Sequence, residues 1–458
     1  MKANRETRHR HDRKCRNLHC EVCNTKHDFL MPRELIDALK ARKLVIFAGA
    51  GVSTDSRHAH NKSFYERIRN DLGVEPDKAP SFPELMSQYV AAKGRIGLLN
   101  EVKKHMEYGN LFSEVYVAAT EFHRELATIP FLDEIFTTNW DDSFETVCNA
   151  TPYVTADDFA FWELPGRKVV KLHGSIHNVG SLVITKDDYD RCYRRLRDGL
   201  IGSTLKLALA TKTIVFIGYS MGDPDLARIW KLVRDELGEL IPTAYWVTLK
   251  PTTTSQSKSP TGLRIIETDA SYFLLKLKEA LVDEGVMLPD ERWMYTGLLR
   301  ERVAIEHRRL HHHFRIDRHP EIIFSAFYQD GIMHACDAVV SRAFAGEASH
   351  KCFFTQSLKT YRDILDERLR SRMYGDVAYI QGYMNGLLYP ALEKEQRERI
   401  PLYFLFGRVG EIRSFSQYRK LRSRAPTLHK SSYQWAKKAA AKYQDANGSV
   451  SIHHRPFL

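Results

Sequence analysis

The sequence predicts an α/β protein. An open, Rossmann-like parallel sheet, interrupted by a helical insertion, is followed by a mostly helical α+β part. Three observations carry that expectation. Four short apolar runs, ending at Ala48, near Thr137, near Leu172 and at Ile217, each stop at polar residues or glycine. A short apolar run that stops so abruptly reads as a buried strand of a parallel sheet. Helical patterns alternating with Pro/Gly-containing loops fill 57–131, between the first run and the second. Finally, 458 residues with 43% hydrophobic and 27% charged side chains allow two to three globular domains. The expected division is a basic tail at 1–30, a nucleotide-type domain at 31–295 and a second domain at 296–458.

The tail holds Cys15, His19, Cys20, Cys23 and His27. Cys15, Cys20, Cys23 and His27 could supply the four ligands of a closed tetrahedral zinc site. The Cys15–Cys20 gap is not a standard spacing and no second cysteine pair follows, so a disordered tail is the alternative. Seven cysteines spread over a long chain make no disulfide framework, which points to a reducing cytoplasm. No apolar run approaches the ~18 residues of a membrane span, and no hydrophobic segment follows the basic N-terminus as in a secretory signal.

Pro32 opens a short helix whose Leu35, Ile36 and Leu39 share one face. The strand Leu44–Ala48 follows. Gly49-Ala50-Gly51 then lets the backbone turn tightly, and Ser53 and Thr54 add hydroxyls, the layout of an anion-binding turn. It lacks the Gly-Lys-Ser/Thr of a P-loop and the third glycine of Gly-x-Gly-x-x-Gly, so a ligand-free turn is the alternative. Residues 57–131 alternate helical patterns with a loop at Pro76, Pro80 and Pro83, and are expected to cap the site. Next come Ile-Phe-Thr-Thr-Asn-Trp-Asp at 135–141, Val-Val-Lys-Leu-His-Gly-Ser at 169–175 and Thr-Ile-Val-Phe-Ile-Gly-Tyr-Ser at 213–220. Asp223-Pro224-Asp225 opens a helix. Strands are expected at 244–249 and, at the sheet edge, 263–268, with a Thr/Ser/Pro-rich loop between them and a helix at 271–283.

In that order Gly49-Ala50-Gly51-x-Ser53, Thr137-x-Asn139-x-Asp141, His173-Gly174 and Gly218-x-Ser220 resemble the sirtuin family, over roughly 31–290. Two departures matter. Asp55 to Tyr65 stands where sirtuins carry Gly-Ile-Pro-Asp-Phe-Arg, so those family residues have no counterpart here. Protein-deacylating sirtuins hold zinc on two Cys-x-x-Cys pairs after the His-Gly motif, whereas this segment has only Cys192. Ile184-Thr185-x-x-Asp188-Tyr189 is instead similar to the sirtuin-like domains of bacterial antiphage systems, which destroy NAD+.

The resemblance implies a site. Gly49, Ala50, Gly51 and Ser53 would hold the diphosphate, and Thr138 would line the cofactor. Asn139 would orient the ribose or the attacking water, using an amide that both donates and accepts without charge. Asp141 would accept a hydrogen bond from the carboxamide. His173 would act as general base. Gly218 and Ser220 would meet the adenosine half, while Asp223 could reach a ribose or simply cap its helix. Trp140 would pack beneath the site. Cleavage of the nicotinamide–ribose bond passes through an oxocarbenium-like state, as in glycoside hydrolysis, but the leaving group departs neutral. No metal is required.

From about 295 the character changes. Residues 321–345 are apolar at helical spacing and need burial, so this part is expected to mediate assembly; 358–396 read as two charged amphipathic helices and 401–406 as a strand, and 413–444 are basic and aromatic. His311-His312-His313 could bind a metal, but adjacent residues point three ways on a helix, which turns about 100° per residue, so a polar surface turn or helix end is expected there. Net charge is +4 over 1–30, −3 over 31–300 and +10 over 301–458. Such asymmetry suggests nucleic acid or an acidic protein partner, met by Arg413, Arg419, Lys420, Arg422 and Arg424.

The expected function is an NAD+ glycohydrolase, the effector of an antiphage, abortive-infection system, gated by assembly or by a partner such as a HerA-type ATPase. A homo-oligomer is expected, with nucleic acid possible through the basic C-terminal part and no membrane. The alternatives are an NAD-dependent protein deacylase and a non-catalytic NAD+ or ADP-ribose-binding subunit of a nucleic-acid-associated complex.

Overall fold

The computed structural model describes residues 26–53, 62–219, 231, 234, 235, 237–240, 242–249, 263–343, 351–408, 410–443 and 452–456. Cys15, Cys20, Cys23, Ser220, Asp223 and the loop at 251–262 lie outside them. The chain divides into two compact units, Met1–Leu281 and Val282–Leu458. The helix Glu291–His313, which runs through the expected 295/296 boundary, lies whole in the second. No helix of the described residues is long and apolar enough to cross a membrane.

The first unit is built on seven parallel strands, β1 (Leu44–Ala48), β2 (Glu134–Thr137), β3 (Thr151–Tyr153), β4 (Lys168–Lys171), β5 (Thr213–Ile217), β6 (Ala244–Thr248) and β7 (Leu263–Glu267), in the order β3-β4-β2-β1-β5-β6-β7. All five residues of β1 are buried, as a central strand covered on both faces demands. The chain runs outward from β1 in both directions, so a topological switch point falls there, where open α/β sheets bind ligands beyond the carboxyl ends of their strands. Ala48 pairs with Thr137 and with Ile217, and Thr137 with Lys171. The four runs read from the sequence are therefore neighbours in register, and their polar continuations emerge side by side. β7 is the edge strand, as expected. The other edge, β3, was not anticipated. Thr-Pro-Tyr is short, and a proline is tolerated only where no ladder bond is needed on that side.

The helices of this unit follow ordinary capping rules. Helix α1 (Arg33–Lys40) buries Leu35, Ile36 and Leu39. The insertion consists of α2 (Phe64–Asp71), α3 (Phe82–Leu111, kinked at Gly94), α4 (Ser113–Ala119) and α5 (Glu121–Ala127). Ser63 with Glu66 and Ser81 with Glu84 form capping boxes. α6 (Ser143–Cys148) follows β2, α7 (Lys186–Asp198) and α8 (Leu200–Thr211) lie between β4 and β5, and α9 (Ala270–Asp283) follows β7.

The second unit is a helical core of α10 (Glu291–His313), α11 (Ile322–Ala343), α12 (Lys351–Arg370) and α13 (Tyr374–Leu388), with α14 (Phe415–Arg422) and α15 (Lys430–Ala440) packed on it. Three expectations change. α13 is not a charged amphipathic helix: Asp376 is its one ionisable carboxylate, and Val377, Ala378, Tyr379 and Ile380 are all buried. The apolar α11 is the unit's own core, buried along its first eleven residues, so its apolar face gives no argument for assembly. Residues 401–406 form no strand beyond one bridge, Tyr403 to Ile412. Side chains of α11 take their backbone groups instead. Ser325 Oγ donates to Phe404 O (2.7 Å) and accepts from Phe404 N (3.0 Å), Gln329 Nε2 donates to Leu402 O (2.9 Å), and Tyr328 OH donates to Pro401 O (2.9 Å). Of the basic residues expected to face a partner, Arg422 turns inward, stacked on Phe314 (4.4 Å) and 3.7 Å from Glu321.

α11 and α13 touch backbone to backbone. A Cβ built on Gly331 would lie 2.1 Å from Tyr379 O, and one on Gly382 would lie 1.9 Å from Tyr328 O. Only glycine permits that approach.

Candidate functional site

The site is assembled where β1, β2 and β5 end. After Ala48 the chain makes a single 3-10 turn, Ala50–Val52. Gly49 N–H donates to Ile217 O (2.9 Å), Gly51 N–H to Gly218 O (3.0 Å) and Ser53 N–H to Ala50 O (3.1 Å). These amides lock the turn to the end of β5. Gly218 answers with φ +74°, and a Cβ there would stand 2.7 Å from Val52 Cγ1. The glycines let two loops close on one another.

Asn139 ties this turn to the end of β2. Its Nδ2 donates to Gly49 O (3.0 Å) and to Ser53 Oγ (3.0 Å). Ser53 Oγ in turn donates to Asp141 Oδ2 (2.8 Å), and Asp141 Oδ1 accepts from Ser143 N–H (3.0 Å). Thr137 Oγ1, bonded to Ala48 O (2.9 Å), accepts from Asn139 N–H (3.0 Å) and fixes the loop. Thr138 Oγ1 meets Tyr219 OH (3.0 Å), beside Gly218. Gly49, Ser53, Asn139 and Asp141 thus form one hydrogen-bonded knot, almost fully buried. Asn139 Oδ1, also buried, has no hydrogen-bond partner. A buried acceptor left unmade costs free energy, and a ligand hydroxyl or a water is what such an oxygen takes.

His173 stands at the end of β4, one strand beyond β2. It is buried, and its ring packs edge-on against Tyr189 (5.0 Å). The Ile184-Thr185-x-x-Asp188-Tyr189 stretch now has a physical account. Thr185 and Asp188 form the capping box of α7, and Asp188 Oδ2 accepts from Ile184 N (3.2 Å), Thr185 N (3.0 Å) and Arg95 Nη1 (2.7 Å). Burial opposes the Asp188 charge, but these donors outweigh it and hold its carboxyl below the usual range. One residue on, Tyr189 braces His173.

A cavity of about 540 Å³ opens beside the knot, lined by Ser53, Asp141 and Ser143 on the sheet side and by His105, Tyr116 and Thr120 from the insertion. The insertion therefore walls the site, as expected. His173 is not among the lining residues. Trp140 packs beneath, against Phe64 (6.2 Å) and Phe82 (6.1 Å). Of the other residues named from the sequence, Ala50 belongs to the locked turn, Ser220 lies outside the described residues, and His27, the one described zinc candidate, accepts from Thr268 Oγ1 (2.9 Å) through its carbonyl.

Two buried groups were missed. The Lys171 ammonium, fully buried, pairs with Glu145 (2.9 Å) and donates to Asp141 O. A lysine inside Val-Val-Lys-Leu-His was a readable signal, since lysine is rarely buried unless paired. His123 on α5 carried no signal. It is 0% exposed, and burial lowers its pKa to about 4, with Asp141 opposing and Lys171 assisting. Burial also opposes the Asp141 charge, but His123, Lys171 and the hydrogen bonds from Ser143 and Ser53 prevail, and its carboxyl stays below the ordinary value.

A pH dependence follows. The folded chain keeps His123 neutral, while the unfolded chain protonates it near 6.5, so the unfolded state binds more protons between pH 6.5 and 4. Stability is full above that window and falls as pH drops through it, by on the order of 3 kcal/mol for this group. Melting temperatures of wild type and His123→Leu from pH 7.5 to 4 should converge or cross as the wild type loses its advantage. A constant offset between them would refute the assignment.

Comparison with known proteins gives a consistent picture. The family profile described as a SIR2-like domain matches residues 133–270. A protein named NAD(+) hydrolase ThsA from Cytobacillus dafuensis is 30% identical over 226 residues, 48% of this chain and 44% of that protein. Its namesake from Enterococcus faecium is 30% identical over 213 residues, 44% and 42% of the two chains. Defense-associated sirtuin 2 of Bacillus subtilis is 26% identical over 219 residues, 44% of this chain and 20% of its own length. The chain thus spans less than half the length of these curated relatives.

Proposed function

We propose, from the premise that residues 133–270 form a SIR2-like domain, that the first unit binds NAD+ and hydrolyses it to nicotinamide and ADP-ribose. The observation that carries the reading is the buried, unpartnered Oδ1 of Asn139, held by Ser53 and Gly49 at the switch point of the sheet. It suits a ribose hydroxyl or the attacking water. Asp141, kept ionised by its surroundings, accepts from the carboxamide. The turn Gly49–Ser53 and Thr138 shape the floor under the diphosphate, with Gly218 and Ser220 toward the adenosine half. Water attacks the anomeric carbon as the bond to nicotinamide breaks, the electron pair leaves with the nicotinamide nitrogen, and His173 takes the water's proton. None of these steps calls on a metal.

The names of the relatives, NAD(+) hydrolase and defence-associated sirtuin, support an effector role in antiphage defence. On this proposal the chain works in the cytoplasm. Unchecked NAD+ loss would kill its host, so a partner, a HerA-type ATPase among the candidates, or self-assembly gates it. Between β4 and β5 there is one cysteine, Cys192, and it is buried, which weighs against the zinc module of a deacylase.

The test is to incubate the full chain with NAD+, alone and with the products of neighbouring genes, and to separate nicotinamide, ADP-ribose and cyclic ADP-ribose. Nicotinamide with ADP-ribose is expected, and acetyl-lysine peptides should not speed its release. O-acetyl-ADP-ribose from such peptides would replace the hydrolase reading with the deacylase one.

A further inference from the structure

The second unit gathers three imidazoles around one buried carboxylate, and the nucleotide chemistry uses none of them. His307 and His311 lie one turn apart on α10, Asp330 lies on α11, and His453 comes from the segment 452–456. His307 Nε2 is 3.1 Å from His311 Nε2 and 4.0 Å from Asp330 Oδ1. His453 Nδ1 is 2.9 Å from the same oxygen, and its ring stacks on that of His307 (4.9 Å, 14°). One ligand atom each from His307, Asp330 and His453 all fall within 4.8 Å of one another.

We propose that His307, Asp330 and His453 bind a divalent transition-metal ion of the zinc type, with His311, beside His307, the nearest further imidazole.

Four features support this. Two histidines at i and i+4 on one helix face are a recurrent zinc pair. Two nitrogens and a carboxylate oxygen suit zinc, whose bonds of about 2.0–2.2 Å place tetrahedral ligands roughly 3.4 Å apart, and the observed separations bracket that spacing. The Asp330 side chain is 2% exposed, and its contacts are imidazoles and the His454 N–H (2.8 Å), with no lysine or arginine among the described residues in hydrogen-bond contact. A buried carboxylate without a cation is costly, and a metal ion supplies the charge. Lastly, Gln329 is the side-chain hydrogen-bonding neighbour of buried His307, and neither His307 Nδ1 nor Gln329 Oε1 has any other partner among the described residues. Metal on Nε2 would leave the proton on Nδ1, facing an acceptor, the arrangement that orients most metal-bound histidines.

The experiment uses full-length protein made without a polyhistidine tag, stripped with chelator and titrated with Zn2+ or Co2+. A Cys20→Ser/Cys23→Ser background removes the tail as a competing site. The expected result is one ion per chain, with the visible d–d bands of tetrahedral Co2+ and no thiolate charge-transfer band. His453→Gln, at a side chain 55% exposed and so safe for folding, should weaken binding at least about tenfold, and His307→Gln should abolish it. Zn2+ should also raise the melting temperature of the background protein, and raise that of His453→Gln less at the same Zn2+ concentration. No ion bound in the Cys20→Ser/Cys23→Ser background, or unchanged affinity in His453→Gln, would overturn the proposal. Either outcome leaves the NAD+ reading untouched, since its assay needs no metal.

Discussion

Asn139→Ala is expected to lower NAD+ turnover by about 10²–10³, the usual cost of removing one positioned polar group from a reacting centre. His173→Ala is expected to lower it by about 10²–10⁴, the range for a general base. The losses arise differently. Asn139 holds the turn after β1 to the loop after β2 through Gly49 O and Ser53 Oγ, so its removal costs both the ligand contact and the rigidity of the floor. Asn139→Asp should fare no better, because it loses the donated bonds and adds a charge beside Asp141. As a general base His173 acts on the attacking water, so its removal should leave NAD+ binding intact while turnover collapses. The measurement is nicotinamide release by the activated protein, with NAD+ affinity and circular dichroism in parallel. Turnover within about threefold of wild type in both Ala variants would remove the two residues from the mechanism.

Gly382→Ala should be the most destabilising small substitution in the second unit. The added methyl would meet the backbone oxygen of Tyr328 at 1.9 Å, and neither helix can yield without separating. Overpacking a close helix contact costs about 3 kcal/mol or more, equivalent to roughly 6–12 °C for a unit of this size. Gly297→Ala on α10 is the control. Nothing lies within 4 Å of its Cβ position, so it should be neutral or stabilising by up to about 1 kcal/mol. Scanning calorimetry of both variants decides the matter, and equal melting temperatures would mean that the helices are not so closely apposed.

The contrast between the units shows what the sequence could say. In the first, four apolar runs stopped at glycine or polar residues, and a fully buried parallel strand leaves that pattern. Gly49, Ser53, Asn139 and Asp141 could be named in advance because their motifs resemble those of the sirtuin family, and residues that end adjacent strands in register must meet. Their mutual hydrogen bonds could not. His123 and His105 were hidden because they come from the insertion, where helical periodicity reports burial but not what a buried polar group faces. In the second unit, 401–406 looked like a strand because apolar composition does not reveal that Ser325, Tyr328 and Gln329, more than seventy residues away, serve its backbone. His307 and His311 stood at a readable spacing, masked by the adjacent run to His313, while Asp330 and His453 are separated by 123 residues.

The segment Pro401–Phe406 also bears on how the protein behaves in a cell. Leu-Tyr-Phe-Leu-Phe carries no charge and has the composition of windows that stack into intermolecular β-structure when exposed. In the native fold α11 takes the carbonyls of Pro401, Leu402 and Phe404 and the Phe404 amide, and Ile412 O takes the Leu402 and Tyr403 amides, which blunts the segment as a template for another chain. That protection disappears whenever α11 is detached, whether during synthesis or after a substitution at Ser325 or Gln329. Such variants would therefore betray themselves first as inclusion bodies and poor yield, before any purified sample showed altered chemistry.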